Sequence, residues 1–476
     1  MAAISVLHKG GNAVDAAIGG TFAANISEVA FTSLGGGGFL NIREPDGTGR
    51  VLDFFVNSPG LGSVEQVKAA DFTPVVVTFP GAEQEFHVGP GSVAVPGTLA
   101  GFLTAHARFG RVPLKSVVAP AIAAALRGAE VEPVQAEVLA LIRDILKLTS
   151  DSQALIRTDL GHYAEAGDTV ANSDLARFLQ RIGDGEVDSI KSSAYADPLL
   201  DLMAQTAGHI TREDLNAYEV MERTPLVVMR NGAEINLNAR PAFGGAIIAD
   251  ALERLAPVEQ PPEIWKNVID ALARSTAAIR AADLRDGIPH VSRGTTHISV
   301  VDSDGMVASL TTSNGSGSGT VIPGTGILLN NMLGEEDLNP GGFHSLPPGL
   351  RLGSMMAPTI LCQGDGSITG LGSGGSERIR SALLLTLLRI VDLGMDITEA
   401  ITGPRLHPGP SAIEIEPGWN EEVIDQLQTV APVNLWPTSN LFFGGVHAVT
   451  RHADGSVTAV GDHRRDGAAV VVPPAP

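Results

Sequence analysis

The sequence predicts an α+β fold with helices layered over antiparallel sheet, and three observations carry that prediction. Apolar residues recur at helical spacing in some stretches and alternate at strand spacing in others. Two-residue turn signals join neighbouring strand-like runs. One long helical run is apolar on nearly every side, which places it between a sheet and other structure rather than at the surface.

The helix-like runs extend over Ala13 to Ala24, Leu99 to Phe109 and Ile379 to Leu393, and strand-like runs over Ile298 to Asp302 and Val446 to Thr450. Asn231-Gly232 separates Leu226-Val227-Val228 from Ile235-Asn236-Leu237, and Asp304-Gly305 separates Ser299-Val300-Val301 from Val307-Ala308-Ser309. Dipeptides of that kind take the positive φ of tight hairpin turns, so each pair of runs is expected to be antiparallel. Pro96 is placed to open a helix ending at Gly110, and Ser376-Glu377 to cap the long apolar helix after it. The stretches Pro257 to Pro262 and Asp283 to Gly294 read as exposed connectors, the second being where a chain can be cut.

Composition narrows the function. Of 476 residues 44% are apolar and 18% charged, which is globular rather than disordered. Against 53 acidic side chains stand 32 basic ones, a net charge of −21 that repels nucleic acid and anionic lipid, so neither is an expected partner. Cys362 is the only cysteine and follows an apolar strand-like run, so it is expected to be inert. No Cys/His cluster has zinc spacing, and no cofactor or metal is implied. The start, Met1-Ala2-Ala3-Ile4-Ser5-Val6, lacks a basic region followed by an apolar core. As it stands the chain is expected in the cytoplasm, or in the periplasm or outside the cell if a leader has been removed.

Chemistry concentrates at Gly294-Thr295-Thr296-His297, directly before a strand. A small residue before threonine suits self-cleavage, in which the hydroxyl attacks the preceding carbonyl and water then releases a new amino terminus. An unperturbed terminal amine titrates at roughly pH 7.7 to 8.0, suited to accepting the hydroxyl proton, so one residue supplies nucleophile and base. The same tripeptide also suits a plain strand start. Gly372-Ser373-Gly374-Gly375-Ser376 leads into the buried helix, where backbone amides can stabilise developing negative charge; a flexible turn is the alternative. Its spacing fits neither a dinucleotide nor a Walker phosphate loop, and Gly-x-Ser-x-Gly is absent. Thr311 to Gly319 reads as a polar loop whose hydroxyls can border the nucleophile. His297, His407 and His447 are read as structural histidines.

Long motifs then carry a resemblance. They include Gly10-Gly11-Asn12-Ala13-Val14-Asp15-Ala16-Ala17, Gly35-Gly36-Gly37-Gly38-Phe39, Val95-Pro96-Gly97-Thr98-Leu99-Ala100-Gly101-Phe102 and Thr295-Thr296-His297-Ile298-Ser299-Val300-Val301-Asp302. Pro323-Gly324-Thr325-Gly326-Ile327-Leu328-Leu329-Asn330-Asn331, Met356-Ala357-Pro358-Thr359 and Pro404-Arg405-Leu406-His407 follow. With these the chain resembles, nearly end to end, the gamma-glutamyltransferase family of N-terminal nucleophile hydrolases. The resemblance implies a four-layer αββα sandwich, cut into a large chain (1–294) and a small chain (295–476) that remain one folded unit. It also implies an amide or gamma-glutamyl substrate, with water or an amine as acceptor. Thr295 then looks like the nucleophile, Gly374 and Gly375 like the oxyanion hole, and Ser313 like a second hydroxyl supporting the nucleophile. Asn314 resembles a substrate-holding asparagine, and Ser354 aligns with a serine pair near the substrate carboxylate.

Departures bear on the substrate. The family has an arginine shortly after an Asp-Phe pair that grips the glutamyl α-carboxylate; Asp53-Phe54 is followed by Phe55 and Val56. Losing one partner of a buried charge pair costs on the order of 3 to 5 kcal/mol, so gamma-glutamyl compounds are expected to bind poorly unless Arg351 or Arg378 swings in. With Phe55 at that position the acyl group is expected to be apolar or uncharged, as in an acylase of the cephalosporin type. Met332-Leu333-Gly334-Glu335-Glu336-Asp337 replaces the residues that hold the α-amino group, with Glu335 or Asp337 as substitutes.

Overall fold

The computed structural model describes residues 1–63, 71–79, 82–256, 264–286, 294–335, 343 and 345–473. In chain order, the strands of its two main sheets are β1 (Gly37–Arg43), β2 (Gly49–Phe54), β3 (Met221–Arg223), β4 (Leu226–Arg230), β5 (Ala233–Leu237) and β6 (Thr296–Val301). They continue with β7 (Val307–Ser313), β8 (Thr359–Cys362), β9 (Ile368–Gly374), β10 (Gly445–Arg451) and β11 (Val457–Val460). The helices that cover them are α1 (Ala2–His8), α2 (Ala13–Ser27), α3 (Thr98–Phe109), α4 (Leu114–Arg127), α5 (Phe243–Arg254), α6 (Ile264–Asp286) and α7 (Arg378–Val391).

One sheet has the order β6-β7-β1-β2-β3 and the other β11-β10-β9-β8-β5-β4, antiparallel throughout. Helices α2 and α3 pack on the first sheet and α5 and α7 on the second, while β6 and β7 face β9. The layers are therefore α, β, β, α, as the resemblance implies.

Local chemistry explains the element ends. Asn12 and Asp15 cap α2 reciprocally, the Asp15 amide donating to Asn12 Oδ1 at 3.0 Å and the Asn12 amide to Asp15 Oδ2 at 3.2 Å. The Ala13 amide donates to Asp302 Oδ2 at 3.0 Å, which joins the start of α2 to the end of β6. Asn231 and Gly232 take φ of 46° and 78°, the double left-handed turn that a two-residue hairpin requires. Two expectations are corrected. Ser376 is itself left-handed at φ 55°, and α7 begins at Arg378 with no side-chain cap. Its first turn is closed instead by the Arg378 and Ile379 amides on the carbonyls of Gly375 and Ser376. Helix α3 begins at Thr98 after Gly97, so Pro96 lies before it rather than opening it. Helix α7 is buried from Ile379 to Ile390, as a run apolar on nearly every side predicts, and Arg380, Ser381, Thr386 and Arg389 are buried with it.

The two faces of the first sheet differ in kind. Leu40, Ile42, Leu52, Phe54, Ala308 and Leu310 join the apolar cluster under α2, α3 and α4. Facing the second sheet, polar side chains stand among apolar ones such as Phe39 and Val51, and their hydrogen bonds cross the interface: Ser309 Oγ donates to the Leu371 carbonyl at 2.9 Å, and Asn41 Nδ2 to the carbonyls of Asn236 and Pro358 at 3.0 and 3.1 Å. A buried polar atom left unpaired costs about 1–3 kcal/mol, so these partners fix how the sheets register on each other. Cys362 is half-buried in β8 and burial raises its thiol pKa, in keeping with an unreactive residue. No described helix is long and apolar enough to cross a membrane. The connector 257–262 and residues 287–293 lie outside the described residues.

Candidate active site

The site forms where β6 begins. Thr296 pairs with Thr312 and His297 with Thr311, so the residue before Thr296 arrives beside the end of β7. There Ser313 Oγ donates a hydrogen bond to the Gly294 carbonyl and accepts one from the Gly315 amide at 3.2 Å. The Gly294 amide donates to the Gly315 carbonyl at 3.0 Å. The peptide unit joining Gly294 to Thr295 is thus held from the β7 side. Both residues are buried, Thr295 at 2% exposure, which corrects the expectation that the connector is exposed up to Gly294. The polar loop Asn314 to Gly319 is likewise buried.

Strand β9 closes the other side. A Cβ on Gly374 would lie 2.4 Å from the Thr295 carbonyl oxygen, and one on Gly372 would lie 2.3 Å from His297 Cε1. Only glycine lets β9 press this closely on the start of β6. Gly372 to Gly374 belong to β9 and Gly375 turns at φ 127°, so the glycine loop is a strand end and a turn that leads into α7.

The other predicted residues are distributed unevenly. A Cβ on Gly315 would fall 2.1 Å from Asn331 Oδ1 and 2.6 Å from Glu335 Oε1, which sets both side chains one residue from the Gly294 contact. Asn314 is buried, its amide donating to the Phe31 carbonyl at 3.1 Å and its Nδ2 to that of Leu329 at 3.4 Å. Ser354 is buried beside Ala242, its Oγ accepting from the Met356 amide at 3.2 Å. Asp337 lies outside the described residues.

Phe55 does not line an opening. It is fully buried between the sheets and stacked on Phe39, with ring centroids 5.8 Å apart. Nor does Arg351 swing toward the site. It donates to Asp53 Oδ1 at 2.8 Å, Asn57 Oδ1 at 2.6 Å and the Glu219 carbonyl at 2.6 Å, and lies over the Tyr218 ring. Arg378 donates to the Phe442 carbonyl at 2.9 Å and lies over that ring.

Sequence reasoning missed Glu28 and Arg465. Thr296 Oγ1 donates to Glu28 Oε2 at 2.6 Å, and Arg465 Nη1 donates to the Thr295 carbonyl at 3.3 Å. Burial raises the Glu28 pKa against the lowering effects of Thr296 and Arg465; burial lowers that of Arg465 to about 10. Neither residue stands in a motif adjacent to Thr295, and only the run His463-Arg464-Arg465 advertised a cation near the C-terminal end. His297 is driven well below the ordinary histidine range by burial and by His447, and its ring nitrogens lie 2.8 Å from Thr311 Oγ1 and Ser299 Oγ. A cavity of about 890 Å³ opens beside these groups, lined by Glu28, Phe31, Thr295, Thr296, Gly374 and Arg465 among others. Among the described residues no group of His, Cys, Asp and Glu is arranged to hold a metal.

A buried Gly-Thr peptide unit clasped between a strand-end serine and a glycine strand is the arrangement to compare with known proteins. The family model described as Gamma-glutamyltranspeptidase matches residues 1–287 and 269–472. The glutathione hydrolase proenzyme of Escherichia coli (strain K12) is 28% identical, with 89% of this chain and 82% of that protein aligned. The acylase ACY 1 proenzyme of Pseudomonas sp. (strain SE83) is also 28% identical, over 99% and 91%. The crystal structure of cephalosporin acylase from Bacillus halodurans shares the fold at a TM-score of 0.82 and 22% identity, covering 98% of this chain and 92% of that one. The chain therefore belongs to the gamma-glutamyltranspeptidase family and is an enzyme of the self-processing N-terminal nucleophile hydrolase class.

Proposed function

We propose that this protein cuts itself between Gly294 and Thr295 and then uses Thr295 as an N-terminal nucleophile, hydrolysing or transferring an amide-linked acyl group through an ester on its hydroxyl. The observation that carries the reading is the hydrogen bond from Ser313 Oγ to the Gly294 carbonyl, which polarises the carbonyl that Thr295 must attack. Thr295 Oγ1 adds to the Gly294 carbonyl carbon, the C–N bond breaks, and the hydroxyl proton passes to the Thr295 nitrogen. Water then hydrolyses the resulting ester and leaves a Gly294 carboxylate and a free Thr295 amine.

In turnover that amine takes the hydroxyl proton while Oγ1 adds to the substrate carbonyl. The amides of Gly374 and Gly375 serve as the donors for the oxyanion, an interaction whose removal typically costs about 10²–10³-fold in rate. The protonated amine gives its proton to the departing amine, and water or an acceptor amine releases the acyl group. One mass spectrum of the purified protein, with a Thr295→Ala control, tests this. The parent is expected as two fragments dividing at 294/295 and the control as one chain of 49.3 kDa. An uncut, inert parent would make the protein a non-catalytic member of its family.

For the substrate, the proposal is an N-acyl amide whose acyl group lacks a carboxylate anchor. Phe55, at the position of the family arginine, is uncharged and sealed in the core, and Arg351 is committed to Asp53, so neither position offers a cation to a glutamyl carboxylate. The acylase ACY 1 proenzymes among the relatives are named as acylases, which agrees with an N-acyl amide as substrate. Turnover of an uncharged acyl p-nitroanilide is expected to exceed that of gamma-glutamyl-p-nitroanilide by about tenfold or more. A wide preference for the glutamyl compound would reject this specificity.

A further inference from the structure

Arg465, just after β11, reaches the start of β6. Its Nη1 donates to the Thr295 carbonyl at 3.3 Å, its guanidinium lies over the Phe31 ring at 5.0 Å, and a Cβ on Gly374 would fall 2.9 Å from Nη1. It therefore sits beside both the nucleophile's own carbonyl and the glycine strand. Glu28, near the end of α2, holds the next residue through the Thr296 hydroxyl at 2.6 Å and attracts Arg465 electrostatically.

We infer that Arg465 is a positioning residue that also sets the basicity of the amine released at Thr295, its fixed positive charge disfavouring the ammonium form. This rests on the proposed role of Thr295 as an N-terminal nucleophile. A residue's nitrogen lies roughly 3 Å from its own carbonyl oxygen, so the guanidinium is within about 7 Å of the new amine. At the effective dielectric of a protein site, a charge at that range moves a pKa by on the order of one unit. The direction is useful to the enzyme. An unperturbed terminal amine is mostly protonated at neutral pH, and a lowered pKa enlarges the free-base fraction that accepts the hydroxyl proton.

Other charged or titratable groups face the same point. Glu28 on α2 opposes Arg465, and Glu335 stands beyond Gly315. His297 on β6 is held neutral by burial, and His447 on β10 is lowered to about 4, so neither supplies a charge near pH 7. Asp462 attracts Arg465 but also pairs with Arg405 and Arg464. Arg465 touches residue 295 itself.

The test is competitive labelling of the mature protein with acetic anhydride across pH, reading acetylation of the peptide that begins at Thr295 by mass spectrometry. This needs no substrate. Arg465→Gln is expected to raise the midpoint by about one pH unit, and Arg465→Lys, which keeps the charge, to leave it within about 0.3 unit of the parent. A glutamine protein that stays uncut while the lysine protein is cut and keeps the parental midpoint also supports a requirement for charge. An unmoved midpoint in Arg465→Gln, or a lysine protein that shifts with it, overturns the inference. So does failure of both variants to be cut or to fold, which makes the residue structural. A parent with no peptide beginning at Thr295 defeats the nucleophile reading itself.

Discussion

The hydroxyl of Ser313 donates to the carbonyl of Gly294, at the far end of β7 and nineteen positions along the chain from it. The same hydroxyl accepts the Gly315 amide at 3.2 Å, so its proton is directed toward the carbonyl and its lone pair toward the loop. A peptide carbonyl held in this way is already drawn toward the charge distribution of a tetrahedral adduct.

Removing that donor is expected to slow self-cleavage more than it weakens the fold. Ser313→Ala should convert precursor to fragments about 10²-fold more slowly, followed as the ratio of uncut to cut chain on a denaturing gel. Cleavage at the parental rate would dissociate Ser313 from the step.

Gly374→Ala tests the close approach of β9 to the nucleophile. A methyl group there would lie 2.4 Å from the Thr295 carbonyl oxygen, a separation that forces strand or residue to move. The expected cost is about 1–3 kcal/mol of stability together with loss of cleavage, read by thermal unfolding and by mass. A fully cut protein with unchanged melting would show that the two segments stand further apart.

Arg351→Ala should damage stability and leave specificity alone. Arg351 and Arg223 both pair with Asp53, whose side chain is fully buried, and one partner remains after the substitution. A loss of about 3 kcal/mol follows, at the lower end for breaking a buried pair. The ranking of acyl anilides should be unchanged, because the guanidinium is committed away from the acyl group. A reordered ranking would make Arg351 the missing anchor.

The buried histidines make stability fall with acid. Burial lowers the His447 pKa from 6.5 to about 4 in the folded chain, so between those values the unfolded chain binds more protons and stability rises with pH. The contribution is complete above about pH 6.5 and is lost as pH falls toward 4, on the order of 3 kcal/mol in all. Melting curves of the Thr295→Ala protein from pH 7.5 to 4.5 should show the loss, and His447→Gln should reduce its slope. Parallel curves for the two proteins would remove His447 from the account.

Much of the architecture was legible because it rests on local rules. The reciprocal cap of Asn12 and Asp15, the left-handed turn at Asn231-Gly232 and the mainly apolar run from Ile379 to Ile390 are each set by neighbouring residues of the chain. The errors share a cause as well. Ser376 reads as a helix cap by residue type, yet its backbone is left-handed in the turn after β9 and its side chain caps nothing, α7 beginning two residues later. Phe55 reads as a pocket residue by its position after Asp53-Phe54, but its ring faces the apolar interface between the sheets and stacks on Phe39.

Sequence alone determined the family, the α+β class and the candidate pair Gly294-Thr295, since hydropathic period, turn residues and motif order are properties of the chain itself. Tertiary structure decided which groups surround that pair. Glu28, Ser313, Gly374 and Arg465 lie far apart in the chain, and only the stacking of the two sheets gathers them at one strand end. Hydrogen bonds and charges act over a few ångströms of space, and distance along a sequence does not encode that separation.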